Sequence, residues 1–291
     1  MFSGSIPALV TPFRDGAFDE RAFRRLVEHQ IANGSSALVP CGTTGESPTL
    51  SHDEHMRVTE VCIAVAGGSV PVIAGAGSNS TSEAVMLARH AEKAGADAVL
   101  VVTPYYNKPS QDGMIHHFTA VHDAISIPVV LYNIPGRSVV DLSVESMARL
   151  ARLPRIAGVK DASGDIARVS EYRRRIGPDF CQLSGNDETA LAHFAHGGAG
   201  CISVSANVAP GLCADFQAAL ASGDLDRARS LNDRLHPLHC AMFADTSPGP
   251  CKYALSRVHD WITGEVRLPI LEPSPAARAL VDEALEIAGL V

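Results

Sequence analysis

Hydrophobic residues fall along this chain in two rhythms. Short, nearly unbroken apolar runs occur at "IPALVT", "SALVPCG", "PVIAGAG", "ADAVLVVTP", "IPVVLYN", "IAGVKD", "FCQLSG" and "GCISVSA". Runs of this length that close on turn-forming or small polar residues are expected of parallel strands covered on both faces. Between them, residues 19–33, 52–66, 80–94, 110–124 and 210–221 repeat their apolar positions every three or four residues, which predicts amphipathic helices. Asp19, Ser51, Ser80, Ser110 and Ser143 stand where N-caps belong. Gly34 and Gly95 stand where a helix ends in left-handed backbone.

Eight strand-helix units in strict alternation predict a closed (β/α)8 barrel, α/β in class, over residues 1–222. No GxGxxG follows the first run, which argues against an open, doubly wound sheet. Residues 223–291 keep a helical period interrupted by Pro- and Gly-rich turns, and predict a C-terminal helical region packed on the barrel.

Charge narrows the function classes. The formal net charge is −8, and the one basic cluster, "YRRR" at 172–175, reads as the solvated end of a helix, so nucleic acid is not an expected partner. No stretch of about 18 consecutive apolar residues is present, and "MFSGSIPALVTPF" lacks a basic segment followed by an apolar block; neither membrane insertion nor secretion is expected. The seven cysteines form no CxxC pair, which fits small packing residues in a reducing cytoplasm; Cys41, in a turn, is the one with a catalytic alternative.

In a (β/α)8 barrel the chemistry sits at the C-terminal ends of the strands. Lys160, at the end of "IAGVK", is therefore a candidate. An exposed lysine has a pKa of about 10.4, and an apolar wall favours the neutral amine, the form that condenses with a ketone to give a Schiff base. The competing reading is an ion pair with Asp161 or another barrel carboxylate, and position alone leaves both open. Tyr132, at the end of the neighbouring run, offers a hydroxyl for proton traffic, or is a core aromatic. Thr43 and Thr44, in a glycine-flanked turn, could bind a carboxylate or relay a proton, or simply form the turn. His52 and His55 share a helix face, but "HDEH" is not HExxH and no third ligand is near in sequence, so no metal site is expected; His193/His196 and His236/His239 read as surface or packing residues.

The motifs "GTTGES", "TPYYNKPSQ", "YNIPGR", "GVKDASGD", "LSGND" and "GCISVSANVAP" occur in an order and spacing that resemble the dihydrodipicolinate synthase family from Gly4 to the C-terminus. The resemblance implies that Lys160 forms a Schiff base with pyruvate, whose enamine attacks L-aspartate 4-semialdehyde, with no separate cofactor. It implies a proton relay of Tyr132, Thr44 and Tyr106, the last reaching in from a neighbouring subunit, and hence a tight homodimer, with a tetramer as the family's usual assembly. Thr43, Gly185 and the carbonyl of Ile202 would line the pyruvate pocket. Arg137 would hold the aldehyde's carboxylate through charge-assisted hydrogen bonds. The resemblance further implies an L-lysine effector site at a subunit interface, formed by Pro48, His52, His55, Asn79, Glu83 and Tyr105. Two departures stand out: Pro48 where alanine is frequent, and Ser138-Val139 where Thr-Gly is common. A positive φ at Val139 would strain a β-branched residue. The alternatives are a related pyruvate-dependent lyase acting on a sugar-derived 2-keto acid, and a barrel that binds without turnover.

Overall fold

A computed structural model describes residues 2–291. The chain opens with strand β1 (Gly4–Pro7), a short hairpin of β2 (Phe13–Arg14) and β3 (Ala17–Phe18), and helix α1 (Glu20–Ala32). There follow α2 (His52–Ala66), β4 (Ile73–Gly75), α3 (Thr81–Ala94), β5 (Ala98–Val102), α4 (Gln111–Ala124) and β6 (Val129–Asn133). A one-turn helix α5 (Pro135–Ser138) and α6 (Val144–Leu150) lead to β7 (Ile156–Asp161), α7 (Ala167–Arg175), β8 (Cys181–Ser184), α8 (Ala190–Ala195), β9 (Gly200–Ser203) and α9 (Pro210–Ser222). Three more helices complete it: α10 (Leu225–Ala241), α11 (Gly249–Val258) and α12 (Pro275–Ala288).

Seven strands pair in parallel in the order β1-β9-β8-β7-β6-β5-β4. The run expected as the second strand, "SALVPCG", closes the ring with only two residues. Leu38 bridges Val72 and Val39 bridges Ala8, and the amides of Leu38 and Val39 donate to Pro71 and Pro7 at 2.9 and 3.0 Å. Beyond Val39 only half a pair remains, the Pro40 carbonyl accepting from the Gly75 amide at 2.9 Å, because Pro40 has no N–H and Cys41 turns to φ +55°. The hairpin at 13–18 was not foreseen, because two-residue strands leave no period to read.

Helix starts follow the capping residues except one. Asp19, Ser110 and Ser143 accept from the third amide beyond them, and Ser51 forms a full capping box with Glu54. Ser80 makes no side-chain cap; its hydroxyl lies 3.1 Å from that of Ser82 instead.

Strand alternation sorts the core into layers. On β6, Val129 and Leu131 pack outward against the helices, while Val130 and Tyr132 join Ile6, Ile73, Leu100 and Ile202 inside the ring. On β7, Val159 belongs to the outer layer, so its neighbour Lys160 projects into the barrel. The helices after residue 222 share the barrel's outer core: Leu235, Leu238, Leu255 and Val281 lie in one cluster with Leu9, Phe23 and Leu26.

Candidate active site

β6 and β7 run in register with Tyr132 beside Lys160 and Asn133 beside Asp161. The Lys160 Nζ sits 4.3 Å from the centroid of the Tyr132 ring, and each residue keeps 5 % of its surface exposed. The aromatic face shelters the amine from one side. Asp161 follows Lys160 on the strand and so points to the opposite face, where its carboxylate accepts from the Ser163 amide and hydroxyl (2.8 and 2.5 Å) and from Tyr172 Oη at 3.1 Å. The adjacent carboxylate is thus engaged elsewhere.

The turn after the two-residue strand is bounded by non-glycine residues in left-handed backbone, Cys41 at φ +55° and Glu46 at φ +54°. Inside it, the Gly45 amide donates to Gly42 O (3.0 Å), the Glu46 amide to Thr43 O (3.1 Å), and Thr11 Oγ1 to Gly45 O (2.7 Å). Thr44 is buried and Thr43 half-buried. Burial pushes the Cys41 thiol up to about 12, which removes it as a nucleophile.

Gly185 donates its amide to Asp161 O at 2.7 Å; a Cβ there would stand 2.6 Å from that of Ala162, so only glycine fits. Ile202, fully buried, pairs with Ile6 in the β1–β9 ladder. The end of β9 is held by Asp187, which accepts from the amides of Val204 (2.8 Å) and Ser205 (3.2 Å).

Arg137 and Tyr106 lie at the surface of the chain. Arg137 is exposed on α5. Behind it, Ser138 Oγ bonds to the carbonyls of Ile134 and Val140, both at 2.9 Å, and Val139 takes φ +65° with 63 % of its surface exposed. The positive φ that a valine resists is therefore present. Tyr106, at φ +71°, is 87 % exposed, so its phenol faces outward from its own barrel; Lys108 two residues on is also left-handed.

Part of the expected effector set comes together. His52 Nε2 lies 2.5 Å from Glu83 Oε1, and Ser78 donates to the other oxygen of Glu83. These bonds, Ser78 first and then His52, hold the Glu83 carboxyl below its ordinary pKa. His55 is buried with Nδ1 unpartnered, and burial, helped by the nearby His90 and His52, pushes it down to about 4. Asn79 accepts at its backbone oxygen from Asn107, the residue after Tyr106, at 2.9 Å. Pro48 lies in a 3₁₀ turn (Ser47–Thr49) and Tyr105 is half-buried.

One constellation was missed from sequence. The Glu46 carboxylate and the Lys252 ammonium, on α11, both have fully buried side chains and meet at 2.5 Å. The second carboxylate oxygen accepts the Arg267 amide at 3.0 Å. Lys252 lies over the Phe13 ring at 3.9 Å, and burial lowers its pKa while Glu46 pulls it the other way. The signal available was a glutamate closing a glycine-rich turn and an isolated lysine in "PCKYAL".

A parallel (β/α)8 barrel that shelters a lysine near a strand's C-terminal end has the parts that a Schiff-base lyase needs. The chain belongs to the dihydrodipicolinate synthetase family, whose model matches residues 1–288. It is 64 % identical, over the full length of both chains, to the 4-hydroxy-tetrahydrodipicolinate synthase of Sphingopyxis alaskensis. Among solved structures, it resembles the chloride-inhibited dihydrodipicolinate synthase of Acinetobacter baumannii complexed with pyruvate (41 % identity, TM-score 0.97, both chains covered completely). It also resembles the enzyme from Cyanidioschyzon merolae with lysine bound (36 % identity, TM-score 0.96, covering 100 % of this chain and 99 % of that one).

Proposed function

We propose that this chain is a 4-hydroxy-tetrahydrodipicolinate synthase, condensing pyruvate with L-aspartate 4-semialdehyde through a Schiff base on Lys160. The observation that supports this most directly is the amine lodged over Tyr132 in the barrel mouth, with the adjacent carboxylate turned to the other face. The Lys160 nitrogen adds to the pyruvate ketone, and the carbinolamine loses water to give an iminium. Loss of a methyl proton gives the enamine, whose carbon attacks the aldehyde. The substrate's own amine then adds to the iminium carbon and displaces Lys160, closing the ring; the sum is one product and one water. The covalent link is itself the electron sink, so no cofactor is required.

In this reading Tyr132, Thr44 and a partner's copy of Tyr106 carry protons, Thr43, Gly185 and Ile202 shape the pyruvate pocket, and Arg137 receives the aldehyde's carboxylate. The exposure of Tyr106 supports a tight dimer that completes each site, with a dimer of dimers as the assembly. L-Lysine acts as feedback inhibitor at the site around His52, His55 and Glu83, with Pro48, Asn79 and Tyr105. A carboxylate flanked by histidines suits an ammonium, and the Asn79–Asn107 bond leads to the Tyr106 loop.

Borohydride reduction in the presence of pyruvate is expected to fix a stable mass on the peptide bearing Lys160; no adduct on folded protein refutes the Schiff base. Turnover of aspartate semialdehyde is expected to exceed that of N-acetylmannosamine or glyceraldehyde with pyruvate, and the reverse order assigns a sugar-acid lyase instead. L-Lysine is expected to inhibit the wild type and to lose potency against Glu83→Ala; equal insensitivity removes the effector site.

A further inference from the structure

The turn that carries Thr43 and Thr44 is fastened from outside the barrel. Its last residue, Glu46, is in left-handed backbone and gives its amide to Thr43 O, while its carboxylate is shut away from solvent. A carboxylate in that position requires a cation and hydrogen bonds to both oxygens. Both come from the C-terminal region: the Lys252 ammonium 206 residues further along the chain, and the Arg267 amide. Lys252 is fixed in turn by the carbonyl of Glu265 at 2.8 Å and by the Phe13 ring. The Arg267 guanidinium lies 4.0 Å from the centroid of the same ring and bonds to Glu54 on α2 and to the carbonyls of Thr49 and Gly16. The segment 252–267 thus grips the hairpin, the turn and α2 together.

We propose that Lys252 is a positioning residue for the condensation: its ammonium, seated on Glu46, holds the turn that aims Thr43 and Thr44 at the keto acid bound to Lys160. The proposal rests on the Schiff-base reading above. The causal chain is short. Displacing the Glu46 carboxylate moves its own backbone, and the Glu46 amide is bonded to the carbonyl of Thr43. A displacement of about 1 Å at that point is enough to cost up to about 100-fold in rate.

The test uses the whole 291-residue chain, with active sites counted by borohydride-trapped pyruvate so that unfolded molecules do not enter the kinetics. In Lys252→Met, the KM for pyruvate is expected to rise and the turnover per titrated site to fall, each by about tenfold or more. Lys160 still traps. A purely structural role would lower the number of titrated sites and leave both constants unchanged, which overturns the proposal. Lys252→Met strands a buried carboxylate, and the chain could fail to fold. The double variant Glu46→Gln/Lys252→Met therefore removes both charges and decides the matter alone: wild-type KM and turnover overturn the proposal, and a persistent shift in both supports it. Failure of wild-type protein to trap pyruvate is a separate result, which overturns the Schiff-base reading and the positioning role with it.

Discussion

The barrel mouth is built from two sets of residues, one buried and one exposed, and the two are made differently. On one side, the turn 41–46, Lys160, Tyr132 and Gly185 are buried or half-buried and pinned by backbone hydrogen bonds and a sequestered ion pair. On the other, Arg137 on the one-turn helix α5, Val139 just after it and Tyr106 in the loop after β5 are all exposed. Both sides use left-handed non-glycine residues, Cys41 and Glu46 on the first, Tyr106, Lys108 and Val139 on the second. Packing over-determines the strained backbone only on the first side. The difference matches the order of the proposed chemistry, in which the keto acid binds among the buried set and the second substrate is received by the exposed Arg137.

The strongest way to break this comparison is at the amine. Lys160→Met is expected to abolish borohydride trapping and to lower turnover about 10⁴-fold or more. Residual trapping on another residue would remove Lys160 from the centre of the buried half. Arg137→Ala should leave trapping intact while reducing kcat/KM for aspartate semialdehyde roughly 10- to 100-fold, the cost of losing a charge-assisted hydrogen bond pair. Loss of trapping in that variant would mean the halves are not separable.

Acid sharpens the picture more gently. Burial pushes His117 and His193 to about 4, as it does His55, so the unfolded chain binds these protons first. Their contribution is complete above pH 6.5 and is lost as pH falls towards 4, on the order of 1–3 kcal/mol each. Glu54, held down to about 2 chiefly by the Arg267 hydrogen bonds, contributes above its ordinary 4.5 and is lost between there and about 2. Denaturant melts should therefore weaken steadily below pH 6.5; a flat profile between pH 6.5 and 4 contradicts the buried neutral histidines. The smallest effect is expected from Val139→Gly. Relief of about 1–2 kcal/mol of left-handed strain is offset by about 0.5–1 kcal/mol of added chain entropy, leaving a net gain of about 1 kcal/mol or less in a thermal melt. A loss of stability would show that the valine is held by contacts outside the loop.

Much of the fold was legible because the signal was local and periodic: long helices such as 52–66 begin and end where their caps and apolar spacing put them, and the run "IAGVKD" is β7 residue for residue. The run "SALVPCG" looked like a full strand and paired through two residues, since one proline and one left-handed cysteine end a ladder that hydrophobicity alone would extend. The neighbouring placement of Lys160 and Tyr132 follows from strand register, which the matched run ends suggested. The Glu46–Lys252 pair could not be read this way. No period connects residues so far apart, and a charge in sequence gives no sign of whether it ends in water or in the core.

That pair has a consequence for how the molecule is made. A ribosome releases the barrel strands long before α11 emerges, and until then the glutamate at the mouth has no counter-ion to enter the core with. Until α11 arrives, the turn that Glu46 closes lacks the cation that seats its carboxylate. The last helices therefore act as a keystone, and a nascent chain is without its finished turn until they arrive.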